Sequence, residues 1–302
     1  MLRRWWIYLN ESFLPVSRTL ASVVLVVGIG WLYQAMLDRT PLVLIADSIG
    51  ALVTLVLILL YYRIMDEFKD AETDRRFFPH RPVPSGRVSF RDLTALMWLD
   101  FAVLFVLHAI WRPVLGPFLA LFLFAVLMHK WFFLKHYIAS NRLLAFVTHA
   151  PVSLLANYYV LAVYANRFKA PVLTRSAFLV VVWFALPSLA WEIARKTRAP
   201  AEEVPGYQTY SAMIGSTNAA GLSIAFVVGQ CLLAFVFPVS AAYLVTLVLL
   251  TFAYLAWFIR FALRPTSGSS LKPAAEIYGL VSTVGMIVDL AWQRGVAWLG
   301  PP

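Results

Sequence analysis

Long apolar runs recur along the whole chain and are separated by short polar loops. Each run holds roughly 20 residues, enough for one helix to cross a hydrocarbon core of about 30 Å. The pattern predicts nine membrane spans, at residues 19–37, 42–64, 93–111, 114–131, 143–164, 172–191, 215–236, 239–259 and 275–297. The fourth run is interrupted between Met128 and Lys130 and the ninth contains Asp289, so eight spans are the alternative. No interval is long enough for a soluble domain, and we therefore expect one all-α polytopic membrane domain over residues 1–302.

The composition agrees with this prediction, since 61% of the 302 residues are hydrophobic and only 13% are charged. Lys and Arg are retained preferentially in cytoplasmic loops. If the N-terminus is cytoplasmic, 19 of the 25 Lys and Arg lie on that side. We therefore expect a multi-pass protein of a bacterial inner membrane, with its N-terminus and the loops after the even-numbered spans in the cytoplasm. The net charge of +10 is spread over these loops, which favours membrane lipids as partners and argues against nucleic acid.

An acidic cluster follows the second span. Five of the 15 acidic residues lie within residues 66–74. Asp66, Asp70 and Asp74 are four residues apart, so their carboxylates share one face if the helix continues through them. Carboxylates placed in this way repel one another and need a cationic partner. Two partners are consistent with the sequence: the nearby Lys and Arg side chains of a solvated helix end, or a divalent metal such as Mg²⁺, which binds carboxylates together with water and phosphate oxygens.

The residues after the cluster favour the metal. The stretch "HRPVPSG" ends a helix, because it contains two prolines and a glycine, and predicts a compact turn. It also contains Arg81, whose guanidinium suits a phosphate group.

These two stretches resemble the first signature of the UbiA superfamily of intramembrane prenyltransferases, N-D-x-x-D-x-x-x-D followed by R-P-x-x-S-G. Here it reads "DEFKDAETD" at 66–74 and "RPVPSG" at 81–86, with Asp66 in place of the leading Asn. The resemblance implies a bundle around a central cavity and assigns Mg²⁺ binding to Asp70 and Asp74. It extends this role to Asp66 and Glu67.

A second stretch, "WFFLKHY" at 131–137, resembles the family's Y-P-x-x-K-R segment. Lys135 takes the position of the lysine that contacts the diphosphate in the family. Trp131 replaces the tyrosine and His136 replaces the arginine. The alternative is a basic helix end at the membrane surface.

A third stretch, "WEIARKTRAPAEEVPGYQTYS" at 191–211, occupies the place of the family's second aspartate motif. Gly206 and Thr209 keep the G-x-x-T ending, but the acidic part departs from the pattern. One interpretation is a local ion pair, since Glu192, Arg195 and Lys196 share a helical face. The other is that Arg195 or Lys196 contacts the diphosphate.

In that second interpretation, a second metal is held by Glu192 together with Glu202 or Glu203. The departure from the family's motif leaves open the number of metal ions.

The resemblance implies Mg²⁺-dependent transfer of a prenyl group from an allylic isoprenoid diphosphate to an aromatic or lipid acceptor. Within the same fold, the alternatives are a membrane terpene cyclase and a transferase of another diphosphate-activated group. A carrier for an anion or a divalent metal is the alternative from a different class, although no matching pair of interrupted spans is visible.

The remaining polar residues in apolar runs are expected to be structural. Asp47, Asp100 and Asp289 are interpreted as structural or protonated. The histidines lack the spacing of a zinc or haem site, and Cys231 is expected to contribute to packing. Residues 157–159 either line the cavity or pack. The segment 265–270 is expected to be a flexible connection.

Overall fold

The computed structural model describes residues 1–263 and 270–299. Within them the chain is almost entirely helical. The helices are α1 (Leu2–Tyr8), α2 (Pro15–Met36), α3 (Asp47–Lys69), α4 (Ala71–Phe77), α5 (Phe90–Ile110), α6 (Leu115–His129), α7 (Lys135–Ala139), α8 (Arg142–His149), α9 (Pro151–Phe168), α10 (Arg175–Arg195), α11 (Tyr210–Ile214), α12 (Ser216–Ala234), α13 (Ala241–Leu263) and α14 (Lys272–Arg294). Two short strands, β1 (Leu42–Ile45) and β2 (Val296–Leu299), pair in parallel.

Nine stretches of the described residues are long and apolar enough to cross a membrane. The prediction of an all-α polytopic membrane protein is therefore confirmed, and nine spans are found where eight were the alternative. The predicted flexible connection at 265–270 lies outside the described residues, except for its last residue.

Three of the differences between predicted spans and observed helices have a clear physical cause. The second begins at Asp47 and continues to Lys69, because the apolar residues before it form β1 and pair with β2. The fifth consists of two helices that meet at Pro151, which has no amide hydrogen to donate to the preceding turn. The ninth ends at Arg294, since Gly295 adopts a positive φ of 66°.

Helix α2 lies in the middle of the bundle and contacts α3, α9, α10 and α14. Two glycines permit this close packing. A Cβ atom at Gly28 would lie 2.7 Å from the ring of Phe184, and one at Gly30 would lie 2.1 Å from the ring of Tyr164. Aromatic rings of α9 and α10 thus pack directly against the α2 backbone.

Most buried polar groups in the spans are satisfied within the protein. His108 bonds the Tyr159 hydroxyl at 3.0 Å, and Tyr159 donates to Thr54 at 3.0 Å. Asn157 donates to a backbone carbonyl of α10, and Asp289 accepts bonds from the start of α13. These contacts support the structural interpretation of residues 157–159 and of Asp289.

Asp100 differs from these groups. It is only 2% exposed, and neither carboxylate oxygen has a hydrogen-bond partner among the described residues. Cys231 is buried and unpaired with another cysteine, in agreement with its expected packing role.

Candidate functional site

The first signature stretch begins at the end of α3. Helix α3 ends at Lys69, Asp70 leaves the helical region with φ −102° and ψ 13°, and α4 begins at Ala71. The amide of Asp70 still donates to the Asp66 carbonyl at 2.8 Å, and the amide of Asp74 donates to the Asp70 carbonyl at 2.8 Å. The condition for a shared face, a helix that continues through all three aspartates, is therefore not met, because the helix is interrupted at Asp70.

The three aspartates have different surroundings. Asp74 is buried and accepts two hydrogen bonds of 2.9 Å from Arg81. Asp66 is exposed and Asp70 is half-buried, and neither carboxylate has a hydrogen bond or ion pair with the residues that the structure describes. Two carboxylates are thus available to a ligand, whereas Asp74 is neutralised by the arginine expected to bind phosphate.

Glu67 is paired with an arginine of its own helix. Its buried carboxylate forms an ion pair of 2.5 Å with Arg63, one turn earlier on α3. Arg63 also donates to the Ser12 carbonyl at 3.2 Å. This pair connects α3 to the N-terminal segment, and a role of Glu67 toward substrate stays a prediction.

The turn after α4 has the compact form that the sequence predicts. The amide of Ser85 donates to the Arg81 carbonyl, and the amide of Gly86 donates to the Val83 carbonyl, both at 3.0 Å. Gly86 has a φ of 76°, which favours glycine. The turn fixes the backbone that carries Arg81.

In the second signature stretch, the lysine forms no ion pair with the acids of the described residues. Lys135 is exposed at the start of α7 and makes no hydrogen bond or ion pair with the described part of the chain. Trp131, Phe132 and Phe133 all have positive φ angles, between 50° and 61°. The chain therefore turns sharply before Lys135.

Lys69 links this stretch to the aspartates. Its ammonium group lies 3.8 Å from the centroid of the Trp131 ring, donates to the Met128 carbonyl at 3.2 Å and to the His149 ring at 2.8 Å. His149 accepts through Nε2. Lys69 immediately precedes Asp70, so these contacts hold a cation beside the two available carboxylates.

In the third signature stretch, the first acidic residue, Glu192, is neutralised by cations of the same stretch. Glu192 forms ion pairs with Arg195 at 2.5 Å and with Lys196 at 2.9 Å, and accepts a bond from the Tyr210 hydroxyl at 3.3 Å. Burial lowers the pKa of Lys196, although the charge of Glu192 opposes this shift. Burial also raises the pKa of Tyr210. These contacts support the ion-pair interpretation of Glu192.

The later acids of this stretch, Glu202 and Glu203, accept hydrogen bonds from residues of their own loop. Glu203 accepts hydrogen bonds of 2.8 Å from Thr209 and of 2.5 Å from Ser211. Glu202 accepts a long bond of 3.4 Å from the Ala199 amide. Roles of Glu202, Glu203 and Thr209 toward a substrate stay predictions.

The first and third stretches meet in space. The rings of Phe77 and Phe78 lie 5.4 Å and 6.0 Å from the ring of Tyr207. A Cβ atom at Gly206 would lie 3.2 Å from the Arg76 guanidinium. The first and third signature stretches are therefore in contact.

We call Asp66, Asp70 and the cations around them the charged site. Two of these cations were missed by the sequence reasoning. Arg18 of α2 is half-buried, and its guanidinium has no hydrogen bond or ion pair with the described residues, yet it lies within electrostatic range of Asp66. Arg142, the first residue of α8, has a buried Nε without a partner and lies within electrostatic range of Lys69 and Lys196. Both are arginines at the end of an apolar run, which in sequence is typical of an interface anchor.

An apolar cavity of about 110 Å³ lies between α2, α3 and α9. Ser22 of α2 and Tyr62 of α3 belong to its lining. Ser22 follows Arg18 by one helical turn and Tyr62 precedes Asp66 by one turn, a rise of about 6 Å in each helix. The cavity therefore begins one turn inside the charged site.

Part of the charged site fits Mg²⁺. No group of three His, Cys, Asp or Glu that could hold a metal occurs among the described residues. Mg²⁺, however, often takes only one or two carboxylates and completes its shell with water and substrate phosphate oxygens. Asp66 and Asp70 fit this donor set. Asp74 and Glu192 would have to release their cationic partners first.

A search of solved structures finds a similar fold. A structure of digeranylgeranylglyceryl phosphate synthase matches with a TM-score of 0.63 and 14% identity, covering 95% of this chain and 99% of that one. The chain has the fold of a membrane prenyltransferase. No protein-family model matches the sequence, and no curated protein matches it.

Proposed function

We propose that this protein transfers a prenyl group from an allylic isoprenoid diphosphate to an aromatic or lipid acceptor, with Mg²⁺ as cofactor. One observation carries the proposal. Two carboxylates without partners, Asp66 and Asp70, lie among cations from several helices, one turn above an apolar cavity. A ligand with an anionic head and an apolar tail matches this arrangement.

The cations supply the affinity for the diphosphate in this proposal. Arg18 and Arg142 have no ion pair with the described residues, so a bound anion would not have to displace a carboxylate from them. Lys196 lies within electrostatic range of Asp66. Charge-assisted hydrogen bonds from these groups would hold the diphosphate and stabilise the charge that develops as it leaves.

Asp66 and Asp70 would hold the metal. Bound Mg²⁺ supplies charge neutralisation of the diphosphate, which makes it a better leaving group. The apolar cavity keeps water away from the allylic carbon, so that the acceptor is the nucleophile available to it.

The same proposal fixes the orientation in the membrane. The charged site lies at the ends of helices whose loops carry most of the Lys and Arg, which supports a cytoplasmic location for the site and the N-terminus. Single cysteines in the turn at 81–86, introduced after removal of Cys231, should react with an impermeant maleimide only from the cytoplasmic side.

The assay that tests the proposal uses purified protein in lipid nanodiscs with allylic diphosphates of several lengths. We expect pyrophosphate release that requires Mg²⁺ and an added lipid extract, and a prenylated product detected by mass. Release without any acceptor would instead indicate a cyclase. Absence of release from every diphosphate, by protein that is folded, would contradict the proposal.

A further inference from the structure

The segment before the first span has two different faces. It comprises α1 and the expanded turn Leu9–Phe13, and we call it the strap. On its inner face, Tyr8 and Phe13 are buried. They belong to one apolar cluster with residues of α3, of α5 and of the turn after α4, which are Leu60, Ile64, Val83, Val88, Leu93 and Leu96. The strap therefore packs against the ends of two membrane spans.

The outer face of the strap presents apolar side chains that are mostly exposed. Leu2 is 75% exposed, and Trp6, one helical turn later, is 69% exposed. Water disfavours such a surface, whereas the boundary between lipid headgroups and acyl chains accommodates it. Because the strap lies at the ends of the spans, that boundary is the apolar phase nearest to it.

Cations accompany these apolar side chains. Arg4 of the strap forms an ion pair of 3.1 Å with Asp92 of α5. The residues next to this pair in sequence, Arg3 and Arg91, are exposed and have no hydrogen bond or ion pair within the part of the chain that the structure describes. Two positive charges are thus left without a carboxylate, so the headgroups that match this surface are anionic.

The strap also contacts the helix that carries Asp66 and Asp70. Arg63 of α3 donates to the Ser12 carbonyl at 3.2 Å and forms an ion pair with Glu67. We propose that the outer face of the strap binds an anionic bilayer surface, and that this binding holds the end of α3 in the arrangement that binds the diphosphate. Only the effect on activity rests on the proposed function.

Spin labels locate the strap without an assay of activity. Leu2→Cys and, as the control, Glu72→Cys are labelled in a Cys231→Ser background. The full chain is placed in nanodiscs of phosphatidylcholine and phosphatidylglycerol in equal amounts. We expect oxygen to relax the label at position 2 more strongly than a water-soluble nickel chelate does, and the reverse at position 72, an exposed acid of α4. A label at position 2 that is accessible to the chelate would overturn the proposal and would indicate a protein partner instead.

Hydrogen exchange tests the link to α3 in the same nanodiscs. We expect the amides of residues 66–70 to exchange about tenfold faster in pure phosphatidylcholine, and equally fast in the Arg3→Gln/Trp6→Ala variant in either bilayer. Trp292→Ala removes an indole that is 90% exposed near the end of α14, and should keep the lipid dependence. Exchange that does not depend on the anionic lipid, or a dependence that survives in the double variant, would overturn the proposal.

Pyrophosphate release adds the functional readout. It should fall about tenfold in pure phosphatidylcholine, and the double variant should lose this lipid dependence. Release that is equally fast in both bilayers would overturn the proposed effect of the strap on the site. Absence of release in every bilayer, with the lipid dependence of exchange intact, would instead count against the proposed prenyl transfer.

Discussion

The two acidic loops of the charged site use their carboxylates differently. In the first loop, Asp66 and Asp70 have no hydrogen bond or ion pair with the described residues. In the second, Glu192 is neutralised by its own helix and Glu203 by hydroxyls of its own loop. An acidic residue therefore indicates a metal site only where its carboxylate has no hydrogen bond or ion pair with neighbouring residues. We therefore assign metal binding to the first loop, and we assign to the cations of the second loop the binding of the diphosphate.

The largest expected effect comes from the first loop. Asp66→Asn and Asp70→Asn should each lower kcat/KM for pyrophosphate release about 10³-fold, because the amide cannot neutralise a metal. Glu72→Gln is the matched control, since Glu72 is an exposed acid of the same segment. It should retain nearly full activity. A loss in Glu72→Gln equal to that in Asp70→Asn would indicate a general charge effect.

The next effect separates two candidate phosphate-binding cations. Arg142→Gln should raise KM for the diphosphate about tenfold, because a charge-assisted contact is lost. Lys135→Gln should change KM less than twofold, since Lys135 is exposed and has no polar contact with the described residues. Steady-state kinetics with varied diphosphate will distinguish them. A larger increase in KM for Lys135→Gln than for Arg142→Gln would support the diphosphate contact that the family resemblance gives to Lys135.

Glu192→Gln tests the second loop directly. Because Glu192 is already paired with Arg195 and Lys196, its removal should reduce kcat about threefold and leave the Mg²⁺ concentration for half-maximal activity unchanged. A large increase in the Mg²⁺ requirement would show that Glu192 is a metal ligand after all.

Asp74→Asn should act mainly on stability. Asp74 is buried and bonded twice by Arg81, so the variant should lower the free energy of unfolding by about 2 kcal/mol. Unfolding in mixed micelles measures this change. Glu11→Gln, which breaks an exposed pair with Arg87, should have little effect. An unchanged stability in Asp74→Asn, with a loss of Mg²⁺ affinity, would instead favour the role as a metal ligand.

The apolar pattern predicts the membrane fold well because span length and composition are local properties. It misplaces the start of α3, since the pairing of β1 with a strand more than 250 residues later is not visible in a local run. The bend at Asp70 and the pairing of Asp74 with Arg81 are likewise set by tertiary contacts. The spacing of the aspartates indicates the site, but it does not tell which of them keeps a free carboxylate.

The roles proposed for Arg18 and Arg142 were likewise not predictable from a local sequence pattern. Each lies at the end of an apolar run, where an arginine is usually an anchor at the membrane surface. Only the packing of the helices brings Arg18 near Asp66, and Arg142 near Lys69 and Lys196. Glu192, in contrast, was interpretable from sequence as an ion pair, because its partners are three and four residues away on the same helix.

The most direct test of the assignment counts protein-bound Mn²⁺, used in place of Mg²⁺, by electron paramagnetic resonance after dialysis with Mn²⁺ and pyrophosphate. The account predicts that Asp66→Asn/Asp70→Asn loses the bound ion, whereas Glu192→Gln/Glu203→Gln keeps it. Retention of Mn²⁺ in the first double variant, or its loss in the second, would contradict the account.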